Sequence, residues 1–294
     1  MSWKPIVVGV DASREAAGAA VFAVDAAQRA ATACHLIHVT RDPVRSGPTP
    51  GGDERARAQV IAALETLVPA AVLETLTVRR GHPAAVLNGA VAALGAELIV
   101  LGGKHHSPLG RWLGGSTSVN VARTTLVPLL VTVGAPAIRR VLVAVDSSGA
   151  ARGTLATAER YAALFGAELR AVSVVEPLPV LPEGGQPDTA EYYRRWEATI
   201  ARDVWPLIRA PGAAKFLRHG AALDAIQHEA AEWRADLLVV GSHGKRFVTR
   251  MLVGSVTEGL INDLPTSLLV VPVATPRPPR RRKGEATHEH PIGN

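Results

Sequence analysis

The stretch that decides the fold is RADLLVVGSHGK, residues 234–245, in which a short apolar run ends in a glycine. The run, LLVV at 237–240, does not alternate with polar residues, which is typical of a strand buried on both faces of a parallel sheet. Gly241 follows the run directly, and Gly244 comes three residues later. Glycine lacks a Cβ, so the backbone can adopt left-handed angles there and approach a ligand closely. The stretch therefore predicts a buried strand that leads into a phosphate-binding loop.

The chain contains an internal repeat of about half its length. Residues 5–13 read PIVVGVDAS and residues 140–148 read RVLVAVDSS, which places Asp146 135 residues after Asp11. The opening stretch repeats GAELIVLGGKHH at 95–106, and TRMLVGSVT at 249–257 repeats GRWLGGSTS at 110–118, both with a shift of 139 residues. We therefore predict two copies of one domain, residues 1–137 and 138–276, followed by a disordered basic tail at 277–294.

Each copy alternates short runs rich in Val, Ile and Leu with Ala-rich helical stretches. This order predicts an α/β fold of two repeated five-stranded parallel sheets covered by helices. Two segments dense in Pro and Gly, residues 41–54 and 177–188, are predicted as loops. They are either mobile covers over a site or plain surface excursions. The closing strands, at 127–133 and 267–273, could also pair with one another and make the chain a dimer within one molecule.

Composition excludes several classes of protein. The 294 residues, 47% of them hydrophobic, suffice for one large or two ordinary domains, and a single cysteine, Cys34, excludes an internal disulfide framework. Half of the formal charge of +6 lies in residues 275–294, so a basic nucleic-acid-binding face on the fold is not indicated. Because no window reaches 18 uninterrupted apolar residues, we predict a soluble cytoplasmic protein.

The unusual residues follow the carboxyl ends of the predicted strands, where open α/β sheets bind ligands. They are Asp146, Val174 and Gly241 in the second copy and Asp11, Val39 and Gly102 in the first. Ser255 and Glu258 have the spacing of a capping box, which predicts a helix N-terminus that attracts anions beside the glycine loop. The alternative is structural, because either Asp could cap the following helix and the two glycines could form a plain tight turn.

The spacing of Gly241, Gly244, Gly254 and Ser255, together with an Asp after the first strand, resembles the universal stress protein family in its tandem form. The resemblance covers nearly the whole chain except the tail. It implies a Rossmann-like, adenine nucleotide alpha hydrolase-like fold that binds ATP, with Mg²⁺ carried by the nucleotide. It also implies that Asp146 and Val174 lie against the nucleoside, while the three glycines and Ser255 hold the ribose and phosphates.

The first copy departs from this pattern at one position. Asp11, Val39, Gly102, Gly115 and Ser116 match the second copy, but His105 stands where the second glycine is expected. A side chain there restricts φ and fills space, so we expect the second copy to be the better nucleotide site. The alternative is that the imidazole itself donates to a phosphate.

Rival motifs are missing, since neither a G-x-x-x-x-G-K-[ST] loop nor a G-x-S-x-G elbow occurs and no G-x-G-x-x-G follows the first strand. His35 with His38, and His105 with His106, have spacings that do not chelate a metal on a strand. We therefore predict an ATP-binding regulatory protein of the stress response rather than an enzyme, although slow hydrolysis stays open. The alternative is a nucleotide-independent dimerisation or assembly module, and a phosphate- or adenylate-transferring enzyme lacks a motif. Expected partners are ATP, an unidentified protein and further copies of the chain, with no membrane or nucleic acid.

Overall fold

A computed structural model describes residues 2–40, 51–103, 117–134, 137–178, 188–244 and 253–273. Several sequence predictions concern other residues. His105, Gly115, Ser116, most of the two Pro- and Gly-rich loops and the basic tail all lie outside the described residues. The predictions made for them stay predictions.

The first half begins with a buried strand, and its strands alternate with helices, except that two helices stand between its second and third strands. Its described elements are β1 (Ile6–Gly9), α1 (Arg14–Arg29), β2 (Cys34–Thr40), α2 (Gly52–Leu64), α3 (Ala70–Leu73), β3 (Thr77–Arg80), α4 (Pro83–Leu94), β4 (Leu98–Gly102), α5 (Thr117–Thr124) and β5 (Leu129–Thr132). The prediction of a loop at 41–54 is wrong at its end, because α2 already begins at Gly52. Asp53 and Glu54 occupy its first turn, where the helix dipole favours negative charge.

The second half repeats this order, with a 3₁₀ turn at Trp205–Leu207 in place of α3. Its elements are β6 (Arg140–Ala144), α6 (Ala151–Phe165), β7 (Glu168–Val175), α7 (Thr189–Asp203), β8 (Ala214–His219), α8 (Ala222–Glu232), β9 (Leu237–Gly241), α9 (Ser255–Asn262) and β10 (Ser267–Val271). Helix α7 is capped by Asp188, whose carboxylate accepts hydrogen bonds from the backbone N–H groups of Ala190 and Glu191. The predicted loop at 177–188 therefore ends where a helix cap is expected.

The ten strands of the described ranges form one sheet in the order β3-β2-β1-β4-β5-β10-β9-β6-β7-β8. Neighbours within each half are parallel, which confirms the predicted pair of five-stranded parallel sheets. The halves meet where β5 and β10 pair antiparallel, with Leu130 opposite Leu269. The pairing of the closing strands that the assembly alternative requires is thus present inside the chain.

Helices cover both faces of the sheet because successive strand residues point to opposite sides. Val8, Leu36 and Val100 pack with α1, α2, α6 and α7 on one face. Val7, Ile37 and Ile99 pack with α4, α5, α8 and α9 on the other. The halves also touch through helices, since the rings of Phe22 and Phe165 lie 5.6 Å apart between α1 and α6.

Strand order reverses once in each half. The chain runs from β1 outward to β2 and β3 and then returns to place β4 on the other side of β1; β6 and β9 have the same relation. Helices leave the sheet in opposite directions at such a point, so a crevice opens beyond the carboxyl ends of the two strands.

Candidate functional site

A cavity of about 460 Å³ lies at the carboxyl edge of the second half. Its volume falls within the range of small-molecule sites, roughly 300–1,000 Å³. The residues predicted for the second copy all line it, although they come from four separate segments of the chain. They are Asp146, Val174, Gly241, Gly244, Gly254 and Ser255.

The two aspartates shape turns and do not cap helices. Asp146 accepts a hydrogen bond from the backbone N–H of Ser148 at 3.0 Å, and the N-cap residue of α6 is Ala150. In the first half Asp11 accepts from the N–H of Ser13 at 2.9 Å, and Ser13 caps α1. The capping alternative is therefore wrong for both, and each aspartate instead lines its cavity.

Gly244 lies close to the carboxylate of Asp146. A Cβ built on Gly244 would lie 2.8 Å from Oδ2 of Asp146, closer than real Cβ contacts. The left-handed angles that glycine allows are not used here, since neither Gly241 nor Gly244 has a positive φ. The loop is held at its ends: Thr257 donates its hydroxyl proton to the carbonyl of Gly241 at 2.8 Å, and Gly254 N–H donates to the carbonyl of Ser242 at 2.9 Å.

Helix α9 begins beside this loop, but without the predicted capping box. Gly254 is the N-cap, with extended backbone at φ −61° and ψ 148°, and Ser255 is the exposed first helical residue. Glu258 N–H donates to the carbonyl of Gly254, while the Glu258 carboxylate pairs with Arg123 of α5 at 2.9 Å. The first N–H groups of a helix lack intrahelical partners, so this end can still receive an anion.

One further wall of the cavity, which we term the α7 arm, was not predicted from the sequence. Its residues come from α6, from the end of β7 and the two residues after it, and from α7: Thr154, Val175, Glu176, Pro177, Tyr192, Trp196 and Ile200. The signal was present in the sequence, because Tyr192, Trp196 and Ile200 recur every four residues and so share one helix face.

The first half has a cavity of about 300 Å³ at the equivalent edge. Asp11, Val39 and Gly102 line it as predicted, together with Thr117 and Ser118 at the start of α5. Gly102 has a packing explanation, because a Cβ there would lie 2.5 Å from the carbonyl oxygen of Glu15 in α1. Gly115, Ser116 and His105 lie outside the described residues, so the effect of His105 stays a prediction.

The two cavities share most of their lining. Twelve positions of the first cavity have counterparts, displaced by 135 or 139 residues, that line the second. Shared pairs include Asp11 with Asp146, Val39 with Val174, Pro83 with Ala222, Leu87 with Ile226 and Gly102 with Gly241. The α7 arm has no equivalent in the first cavity among the described residues.

Two histidines near these cavities were also missed as site residues. His38 lines the first cavity, and its Nδ1 lies 2.7 Å from the carbonyl oxygen of Val10; in the second half Ser173 donates to the carbonyl of Val145, also at 2.7 Å. His243 lines the second cavity, and burial lowers the pKa of its imidazole from the usual 6.5. Burial therefore favours the neutral form of His243.

Other kinds of site are not evident in the residues that the structure describes. Among them no group of three or more His, Cys, Asp or Glu side chains is arranged to hold a metal ion. No helix in these ranges combines the length and apolar character needed to cross a bilayer.

Comparison with protein families gives two matches along the chain. The model of the universal stress protein family matches residues 2–132 and again residues 137–272. A universal stress protein of Mycolicibacterium smegmatis is 29% identical over 287 residues, covering 90% of this chain and 96% of that protein. A half-length universal stress protein of Thermus aquaticus is 29% identical over 136 residues, covering 45% of this chain and 98% of that protein.

Solved structures show the same fold. A universal stress protein from Archaeoglobus fulgidus matches with a TM-score of 0.61 at 20% identity, covering 91% of this chain and 98% of that one. A protein of unknown function from Pseudomonas aeruginosa matches with a TM-score of 0.62 at 17% identity, covering 92% and 93%.

Proposed function

This chain belongs to the universal stress protein family, and from that premise we propose that its second half binds ATP and acts as a regulatory nucleotide sensor. One observation carries the proposal. The residues that the family pattern assigns to the nucleotide converge on one cavity, where a Cβ on Gly244 would lie 2.8 Å from the Asp146 carboxylate.

The division of charge in the cavity suits a nucleotide. A carboxylate accepts hydrogen bonds from hydroxyl groups but repels phosphate oxygens, so Asp146 is suited to the ribose. The phosphates then lie towards Gly254 and Ser255, where α9 begins and backbone N–H groups favour anions. Val174 and Ile226 provide an apolar wall for the base. Mg²⁺ would be carried by the phosphates, because it usually keeps several waters and few protein ligands.

We expect binding without rapid turnover. Ser242 Oγ lies 2.9 Å from His243 Nδ1, which superficially resembles a nucleophile and its base. However, Ser242 is 3% exposed, does not line the cavity, and accepts a hydrogen bond from the N–H of Val273. Its hydroxyl is therefore poorly placed to attack a bound phosphate. The predicted response of segments 177–188 and 245–253 to nucleotide, and any protein partner, belong to the same proposal.

The assembly module is the second candidate, and the pairing of β5 with β10 favours it. That pairing already uses the closing strand of each half, however, so these edges are not available to another chain. Assembly into larger oligomers would need a different surface.

The first experiment measures nucleotide directly. Acid extraction of purified protein should release ATP, or calorimetry should detect binding of added ATP-Mg²⁺. Gly244→Val should weaken binding by at least about a hundredfold, because its side chain enters the space beside Asp146. Gly89→Ala, at a helical glycine with open space around it, is the control and should bind normally. Absence of ATP binding by the wild-type protein would leave the assembly module standing.

A further inference from the structure

An ion pair joins the two halves at the start of α9, beside the second cavity. Because β5 and β10 run antiparallel, the amino end of β5 lies next to the carboxyl end of β10. The last turn of α5, which precedes β5, therefore reaches the edge where the second cavity opens. Nη2 of Arg123 in that turn donates to the carboxylate of Glu258 in the first turn of α9 at 2.9 Å. A side chain of the first half thus contacts the helix whose start lines the cavity of the second half.

Glu258 lies next to the position proposed for the phosphates. Ser255 and Glu258 are three residues apart, so they are neighbours on one face of α9, with Cβ atoms about 5–6 Å apart. Side chains of a helix lean towards its N-terminus, so the Glu258 carboxylate extends over the turn that begins the helix. A negative charge is therefore held close to the backbone N–H groups that would receive the phosphates. Placing the phosphates there rests on the proposed function.

An unpaired carboxylate at this place would oppose nucleotide binding. Like charges repel in proportion to the charge on each, and more strongly near a protein surface than in bulk water. A nucleoside triphosphate brings several negative charges, whereas a nucleoside brings none. Arg123 neutralises Glu258 through direct contact, and both side chains are partly buried, at 38% and 37% exposure, which limits screening by salt.

The guanidinium of Arg123 makes few other contacts. Within the described ranges Glu258 is its one hydrogen-bond partner, and its Nε atom is buried without a partner. A buried donor that makes no hydrogen bond lowers stability. Hydrogen bonding within the fold therefore does not by itself explain an arginine at this position, and the charge that it brings to Glu258 is a second reason for it.

The internal repeat does not require this ion pair. The position equivalent to Arg123 in the second half is Asn262. The position equivalent to Glu258 in the first half is Val119, and α5 has no acidic residue in its first turn, at the edge of the first cavity. Among the described residues the pair is thus specific to the cavity that all six predicted residues of the second copy line.

We propose that Arg123 is a positioning residue for the nucleotide site of the second half. It neutralises Glu258 and so keeps the start of α9 favourable to phosphates. Nucleotide binding in the second half then depends on a side chain of the first half, and this dependence grows with the number of phosphates on the ligand.

The test uses the full chain and calorimetry with ATP, ADP and adenosine, each in the presence of Mg²⁺. Arg123→Met keeps an apolar side chain of similar length and removes the charge. It should weaken ATP binding by about fivefold and ADP binding by about twofold, and leave adenosine binding within about 1.5-fold. Glu258→Gln leaves the arginine charge unneutralised and should tighten ATP binding by about threefold. In the double variant the two changes should cancel, with ATP affinity within about twofold of the wild type.

Arg160→Met is the matched control. Arg160 carries the same charge, joins the halves through Glu97 at 2.8 Å and is 35% exposed, but it lies in α6 and lines neither cavity. This variant should bind ATP within about 1.5-fold of the wild type, whatever its loss of thermal stability. Arg123→Lys retains the positive charge and should keep ATP affinity within about twofold.

A purely structural role for the ion pair predicts different results. Arg123→Met would then weaken ATP, ADP and adenosine equally, or Glu258→Gln would weaken ATP as Arg123→Met does, and either result overturns the inference. It is also overturned if Arg123→Met leaves ATP binding unchanged or if Arg160→Met weakens ATP binding equally. All of these outcomes leave the proposed function in place. A wild-type protein that binds neither ATP nor ADP overturns the proposed function, and the inference with it.

Discussion

The two halves of this protein share the same fold, but their cavities at the carboxyl edge of the sheet differ in lining and volume. Twelve lining positions correspond between the two cavities, yet their volumes are about 300 and 460 Å³. Trp196 and Ile200 of α7 line the second cavity, whereas no described residue of α2 lines the first. A repeated fold can therefore keep the geometry of a site while side chains on one covering helix change what the site can hold.

A second difference lies on the opposite face of the sheet. Glu229 of α8 is fully buried and joins Arg170 of β7 at 2.7 Å and Arg218 of β8 at 2.7 Å. Burial acts to raise the pKa of Glu229, but hydrogen bonds from the two arginines outweigh it, so this pKa is lowered. The Arg170 guanidinium also lies 4.2 Å from the centre of the Phe216 ring. In the first half the position equivalent to Glu229 is Ala90, which has no carboxylate, so the equivalent cluster cannot form there.

The largest effect in this comparison is expected for Glu229→Ala. It leaves the largely buried Arg170 without its carboxylate, which should lower the free energy of unfolding by about 3 kcal/mol. Urea unfolding followed by circular dichroism measures the loss. Glu232→Ala is the control, since that carboxylate is 57% exposed and should cost no more than about 0.5 kcal/mol. Equal losses for the two variants would show that the buried cluster does not distinguish the halves.

A smaller effect on ATP binding should distinguish Asp146 from Asp11. Asp146→Ala should weaken ATP binding by about tenfold, because it removes the acceptor proposed for the ribose. Asp11→Ala removes the matching turn hydrogen bond in the first half, so both variants should lose similar thermal stability. Calorimetry with ATP and thermal melts together measure both quantities. Equal loss of ATP affinity in the two variants would contradict the assignment of the nucleotide to the second half.

The smallest effect is expected from pH. In the unfolded protein the His243 imidazole takes up a proton at its ordinary pKa of 6.5. In the folded protein burial lowers this pKa, so the imidazole is protonated only at a lower pH. Acidification through and below pH 6.5 therefore favours the unfolded state, and the contribution of His243 to stability is lost. His243→Asn should melt with a weaker pH dependence between pH 7.5 and 5.5, by about one degree in Tm. An unchanged pH dependence would contradict the role of this imidazole.

Much of the fold and of the candidate site could be predicted because both are encoded locally. Buried strands appear as apolar runs, and residues after strand ends converge on one edge in a parallel sheet, so Asp146, Gly241 and Gly244 were found together. Details of the local geometry were predicted less well. Ser255 was predicted as a cap but is the first helical residue, and the left-handed φ that glycine allows is not used at Gly244, which lies close to the Asp146 carboxylate.

By itself the sequence determined the repeat, the parallel strands and the edge at which residues of the site collect, since these follow from periodicity and from neighbours along the chain. Only the tertiary structure decided which helix face lines a cavity and which is buried in the core. Thr154 and Trp196 are far apart in sequence, and the space between them depends on how α6 and α7 pack on the sheet. Such distances are set by the fit of many side chains at once, which no local pattern records.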